Sequence, residues 1–431
     1  MSEHPYAPDS EDAPPPIDLA TVRAHKHLRD SLAQSKEGVV LPTVSNILAI
    51  LRHDPALTGI VTLNEFTHET AITRAPPLPD DSARPMPGPY PRPWTGADEA
   101  LILAYIQRNW TSRATDSALA AAMTAEAAMR GFHPVRDYLD SLQWDGTPRL
   151  DQWLQTAFGA LDSAYTRDIG AKTLIAAVRR IRQPGCKFDF MLILEGPQGI
   201  GKSTAVQTLF SVPWFSDTIN HDLGHKDAAI GLVGVWGLEL AEIAQFIRND
   251  VETIKAFLGR TTDKYRPPYG RTDVTRPRQG IVVGTTNKDD YLRDDTGNRR
   301  FWPARCTKAD VEWISLNRDQ LWAEASARED AGEPTYLENP DVQAEAAEAQ
   351  ANRMLEDDWH GKVADYIQAF QTTTTSAVLE HCIQMPVKDH NRSAQMRAAA
   401  ILTTLGWVKV VGWKGGKTAR WWEKDHKGSK N

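Results

Sequence analysis

The chain has 431 residues, 41% of them hydrophobic, and a formal net charge of −7. That length is too great for one ordinary core and predicts two or three domains, while the acidic balance excludes a protein coated in positive charge but not local basic surfaces. Cys186, Cys306 and Cys382 stand far apart with no C-x-x-C spacing, which argues against a disulfide framework or a zinc site and points to a reducing cytoplasm. The start, MSEHPYAPDSEDAPPPIDL, has no basic stretch followed by an apolar run, and no run elsewhere is long enough to span a bilayer. A soluble chain with no membrane partner is expected.

Residues 1–16 are acidic and Pro-rich, a composition that builds no core and predicts disorder. Apolar positions recur at helical spacing from Ile17 to Leu51. Ala75 to Pro93 then carries so many prolines that helix and central strand are excluded, leaving a stiff linker or extended loop that closes an N-terminal region over 1–94. Helical periodicity returns from Thr95, with Thr95 or Asp98 as N-cap, and HPVRDYLDSLQWDGTPRLDQWL reads as helix, Trp-Asp-Gly turn and helix. A helical domain is placed at 95–165.

From 166 to 330, strand-like runs alternate with helical segments: FDFMLILEG, VWGLEL, GIVVGTTN and RRFWPARC. This pattern predicts an α/β core with a mainly parallel sheet. Residues 331–358 have eight acidic positions against the single Arg353 and read as a solvated connecting helix. From His381 onward ten Lys/Arg oppose three acids, and a helix is followed by a hairpin turning at Gly415-Gly416. That basic region, 359–431, is expected to be a small winged-helix-like DNA-binding domain.

The first strand ends in Gly196-Pro197-Gln198-Gly199-Ile200-Gly201-Lys202-Ser203, followed by Thr204, a complete G-x-x-x-x-G-K-[ST] phosphate-binding loop. Glycines there let backbone N–H groups aim at phosphate oxygens, Lys202 reaches the β- and γ-phosphates, and the Ser203 hydroxyl takes a Mg²⁺ position. Helix-forming residues from Ser203 to Phe210 place the phosphates at a helix N-terminus. ATP and Mg²⁺ are the expected ligands.

Hydrolysis also needs an acid near the metal and a group that senses the γ-phosphate. Glu239 and Glu242 end the next apolar run, one to bind the metal and the other to orient water, and spacing does not decide which. Asn287 closes GIVVGTTN and offers an amide to the γ-phosphate and the attacking water. The adjacent Arg299 and Arg300 suit transition-state charge and can act from a neighbouring subunit. Between Lys255 and Arg278 seven basic residues face two acids, with Tyr265 and Tyr269 interleaved, a composition suited to single-stranded nucleic acid.

The order GPQGIGKST, LELAEI, KAFLGRTTDKYRPPYGR, VGTTN and GNRRFWP closely resembles the virulence-associated E (VapE) family of phage and prophage proteins, itself similar to superfamily-3 helicases. HPVRDYLDSLQWDGTPRLDQWL and RDQLWAEA extend the resemblance to roughly residues 40–360. It implies an AAA+-related ATPase that forms a ring, usually a hexamer, and translocates on DNA in the cytoplasm of a bacterial host. By position it assigns the channel hairpin to Lys264, Tyr265, Arg266, Tyr269 and Arg271, and the finger to Arg299 or Arg300. Two departures stand out. Glu239 and Glu242 are three apart where the related helicases have adjacent acids, and no D-x-D pair lies on an evident strand, so primer synthesis is expected from a separate primase.

The reading is therefore an ATP-dependent, ring-forming DNA helicase for a phage or integrated element. The alternative is a nucleotide-switched replication initiator or loader that does not unwind. A small-molecule kinase fits less well, because a small substrate requires neither the basic insertion nor the basic tail.

Overall fold

The computed structural model describes residues 19–78, 88–219, 223–267, 272–292, 298–354, 359–414 and 417–424. They divide into two units, residues 1–289 with 296–349, and residues 290–295 with 350–431. Residues 1–16, expected to be disordered, lie outside the described residues.

The first unit begins with α1 (Leu19–Ser31) and α2 (Val44–His53), which the helical spacing anticipated. Then β1 (Val61–Asn64), β2 (Glu69–Ile72) and β3 (Arg92–Pro93) join β4 (Gly131–Phe132) in a sheet of order β3-β2-β1-β4. The Pro-rich stretch thus ends as an edge strand, the one sheet position where missing N–H donors are tolerated. Thr95 caps α3 (Gly96–Asn109) in a reciprocal box with Asp98, whose carboxylate also accepts two 2.7 Å hydrogen bonds from Arg92. One apolar cluster runs from Leu28 to Ala127 through α4 (Asp116–Ala127), so elements on both sides of residue 94 share a core.

Next come α5 (Pro134–Ser141), α6 (Trp153–Phe158) and α7 (Ala164–Arg182), with the turn between α5 and α6 passing through Gly146 at φ +80°. The main sheet is built from β5 (Met191–Glu195), β6 (Phe215–Ser216), β7 (Gly237–Leu240), β10 (Ile281–Thr286) and β11 (Phe301–Arg305). Its order is β11-β5-β10-β7-β6 and every pairing is parallel. Near-continuous apolar runs follow from burial on both faces.

The intervening elements are α8 (Lys202–Phe210), α9 (Lys226–Ile230), α10 (Ile243–Leu258) and a separate antiparallel pair, β8 (Thr262–Tyr265) and β9 (Val274–Pro277). After β11, α11 (Val311–Asp330) crosses the sheet. Trp322 on it lies 4.1 Å from Trp236 between ring centroids and donates to Leu209 O, while Trp236 donates to Ala177 O. Each such buried ring contributes roughly 2–3 kcal/mol, which fixes α7, α8 and α11 on the sheet.

The acidic segment is not simply solvated. Within α12 (Pro340–Ala351), Val342 and Ala346, one turn apart, are buried in the main core, and Glu345 accepts from Tyr165 N at 3.3 Å. Asp341 and Glu348 lie on the outer face of a docked helix.

The second unit contains α13 (His360–Ile367), β12 (Thr372–Thr373), α14 (Thr375–Ala377) running into a π turn at Val378–Cys382, α15 (Arg392–Thr404), β13 (Trp407–Lys414) and β14 (Lys417–Lys424). Asn391 caps α15, and Val363, Leu379, Ala398, Leu402, Trp407 and Trp422 form the core. The sheet order is β12-β14-β13, with Lys414 opposite Lys417, as a two-residue turn requires; Gly415-Gly416 lie outside the described residues.

Candidate nucleotide site

The parallel strands bring their carboxyl ends to one edge. Beyond that edge the order reverses at β5, whose neighbours β10 and β11 both come later in the chain, and such a crevice is where parallel sheets receive ligands. Here the chain turns from β5 into α8 through the glycine-rich loop. Gly199 and Gly201 have φ +81° and +95°, values only glycine adopts without strain, and a Cβ on Gly196 would collide with Cys306 O. Gly196 N donates to Thr286 O at 3.1 Å and Cys306 N to Glu195 O at 2.6 Å, so β10 and β11 frame the loop on either side. Burial pushes the Cys306 thiol up to about 12, which keeps it neutral behind the loop.

Lys202 is the first residue of α8. Its ammonium donates to Gly196 O at 2.7 Å and Pro197 O at 2.9 Å, folding back on the loop's own carbonyls, and burial lowers its pKa. Ser203 Oγ donates to Glu239 Oε1 at 2.6 Å. Thr285 Oγ1 donates to the same oxygen, also at 2.6 Å. Glu239, 1% exposed at the end of β7, therefore has one oxygen doubly held and the other, Oε2, buried with no hydrogen-bond partner among the described residues.

Glu242 differs. It is exposed, sits at φ 51° and ψ 42°, and forms the N-cap position of α10. A left-handed conformation in a residue other than glycine is uncommon and turns the chain sharply from β7 into the helix. An open cavity of about 330 Å³ is lined by Gln198, Gly199, Gly201, Lys202, Ser203, Thr204, Ala241, Glu242, Thr285, Thr286 and Asn287. Residues from three separate stretches thus meet at one place. Thr285 was missed, because a threonine in a strand is an ordinary β-former and its motif neighbours carry no mark of it.

Arg299 and Arg300 do not join this cavity. They form a short 3₁₀ turn before β11, and Phe301 pairs with Met191 at the start of β5. They therefore stand at the amino edge of the sheet, about 16 Å along a five-residue strand from the loop. Arg300 is held by Asp189 at 3.2 Å, while Arg299 is exposed.

The basic insertion forms the β8–β9 hairpin. Lys264 points outward, 3.8 Å from Asp273, whereas Asp263 and Tyr265 alternate inward. Tyr265 is 7% exposed, so the expectation that its ring is available to a base is not met: strand alternation turns it to the inner face. Arg278 is likewise buried, its Nε and Nη2 donating to the Asp263 carboxylate at 2.9 and 2.6 Å. Arg266 lies just past β8; Tyr269 and Arg271 lie outside the described residues.

The sequence matches the virulence-associated protein E-like domain over residues 139–355, just over half of the chain. The chain belongs to this family. The family region starts within α5 and contains the nucleotide cavity, the hairpin and the arginine pair, leaving the Leu28–Ala127 core and most of the second unit outside it. Among solved structures, the chain is similar to the apo structure of the NrS-1 C-terminal region, at 10% identity and a TM-score of 0.46, covering 85% of this chain and 96% of that one. The A form of that region gives 11% identity and a TM-score of 0.44, with the same coverage. No curated protein matches the sequence. Among the described residues no helix is long and apolar enough to cross a membrane.

Proposed function

We propose that the chain is an ATP-dependent DNA translocase that assembles as a ring, hexameric by family resemblance, and unwinds DNA during replication of a phage or integrated element. The observation that carries this reading is the Glu239 carboxylate, with Oε1 held by Ser203 and Thr285 and Oε2 unpaired, beside a glycine-rich loop and Lys202. A buried carboxylate oxygen without a donor is costly unless a cation or its water completes it, so the donor set fits Mg²⁺. The Ser203 hydroxyl and Glu239 would hold that ion, which when bound neutralises charge on the β- and γ-phosphates.

The chain's own residues then divide the work. Amides of Gln198 to Lys202 face the phosphates, and the Lys202 ammonium exchanges its contacts with Gly196 O and Pro197 O for phosphate oxygens. Glu242 and Asn287, both exposed at the rim, position the attacking water, with Glu242 accepting its proton. Arg299, at the far edge of the sheet, serves the cavity of a neighbouring subunit, since its own is out of reach. Lys264 and Arg266 contact the phosphates of a single strand in the ring channel, and the second unit, read as winged-helix-like, holds duplex DNA through its basic surface. The test is ATP hydrolysis with and without single-stranded DNA: turnover should require Mg²⁺, rise with DNA and vanish in Lys202→Ala. Mg²⁺-independent turnover, or turnover surviving in that variant, contradicts the site.

A further inference from the structure

Helix α10 has its two ends at the two places the proposed function must connect. Its N-cap, Glu242, borders the nucleotide cavity, and Phe257 in its last turn, about 22 Å further along the axis, lies under the base of the hairpin. Ile243, Ile247, Ile254 and Phe257 form a buried stripe, and Ile243 packs within 3.4 Å of where a Cβ on Gly284 would stand in β10. These four side chains seat one face of the helix at both its first turns and its last.

At the far end Arg278 closes the connection. Its Nη1 donates to Phe257 O at 2.6 Å, its guanidinium carbon lies 4.5 Å from the centre of the Phe257 ring, and its Nε and Nη2 donate to the Asp263 carboxylate of β8. Its backbone N donates to Thr261 O at 2.8 Å, and its carbonyl accepts from Gly185 N at 2.9 Å. One buried side chain therefore joins the last turn of α10 to β8. A two-stranded hairpin is marginal alone, and a buried ion pair is weak support for stability compared with apolar residues of the same volume. What the pair provides beyond stability is a fixed geometry between helix and hairpin.

We infer that Arg278, with Asp263, is the positioning residue that transmits the state of the nucleotide cavity through α10 to the DNA-contacting hairpin. The inference rests on the nucleotide reading above and adds a named path to it. Coupling over such a distance needs packed, rigid elements, and it is reciprocal: nucleotide changes DNA affinity by the same factor as DNA changes nucleotide affinity.

The experiment measures the affinity of fluorescent single-stranded oligonucleotide with ADP and with a non-hydrolysable ATP analogue, alongside basal ATPase and thermal unfolding. Three proteins are compared with the parent: Arg278→Lys, Asp263→Asn, and the double replacement Asp263→Leu with Arg278→Met, which removes both charges at similar volume and so avoids an unpaired buried ion. The parent should bind DNA at least about fivefold differently in the two nucleotide states. In the variants that ratio should fall to within about twofold of unity, with basal ATPase retained and DNA stimulation lost. A double variant that folds and keeps the parental ratio overturns the inference, and so does one whose basal ATPase falls in step with its stability, since that marks a merely structural pair. A parent that hydrolyses ATP but has a ratio of one overturns the coupling and leaves the nucleotide site standing. A parent without any ATPase instead overturns the nucleotide reading itself.

Discussion

Lys202, Glu239 and Thr285 occupy a few ångströms of the sheet edge, yet they differ in how far the sequence reveals them. The loop was legible because its chemistry is local: glycines at positive φ, a lysine and a hydroxyl at fixed spacing. Lys202→Ala should lower hydrolysis by at least about 100-fold, because its ammonium stabilises charge that develops in the transition state, while circular dichroism and the melting temperature should stay near the parent's. The division between Glu239 and Glu242 was not legible, since both follow the same apolar run and only burial separates them. Glu239→Gln should abolish Mg²⁺-dependent turnover, and Glu242→Gln should keep nucleotide binding while losing hydrolysis, as read by fluorescent-nucleotide titration. Thr285→Val removes the second donor to Glu239 Oε1, and a loss of about tenfold in kcat with nucleotide affinity unchanged is the expected cost of a misoriented carboxylate.

At the scale of elements, four of the five strands of the main sheet and the cap of α3 were readable, because apolar runs and Thr95 with Asp98 are strong local signals, whereas the two-residue β6 carries no such run. The β1–β4 sheet was not. Its strands have four residues or fewer, too short for alternation to stand out, and β4 pairs with β1 from 68 residues away. The hairpin was readable as a charge run, but the inward turn of Tyr265 and Arg278 depends on pairing register. With Lys264 and Arg266 both replaced by Ala, the slope of log K against log salt for single-stranded DNA should shrink by about 0.7 per lost contact, with basal ATPase unchanged. An unaltered slope would make the run a solvated surface. Between β1 and β2, burial lowers His68 to about 4, with Arg276 and His133 adding to the effect. Its folded pKa lies below the unfolded value near 6.5, so the unfolded state takes up the proton first as pH falls. Its stabilising contribution is present above about pH 6.5 and disappears towards pH 4. Urea midpoints should drop less steeply over that range in His68→Gln than in the parent.

The whole molecule poses the question of assembly. Arg299 and the loop stand on opposite edges of one sheet, so an arginine acting on nucleotide must act on a neighbour's. Mixing Arg299→Ala with Lys202→Ala subunits should restore part of the ATPase that each lacks alone, and specific activity should rise with protein concentration until rings are complete. Arg300→Ala should be milder, because Arg300 is already held by Asp189. Removing residues 359–431 should weaken duplex binding and leave nucleotide hydrolysis in place. These relations were not legible from sequence, where Arg299 and Arg300 look equivalent and the opposing edges become apparent only once β5 and β11 are paired in parallel. The central claim, that hydrolysis at this cavity moves the protein along DNA, is tested most directly by strand displacement on a forked duplex with one labelled strand. The account predicts release of that strand by the intact chain in ATP and Mg²⁺, none with the non-hydrolysable analogue, and none from Lys202→Ala. Active ATP hydrolysis on a bound fork with no strand released would contradict it and make the protein a nucleotide-switched loader.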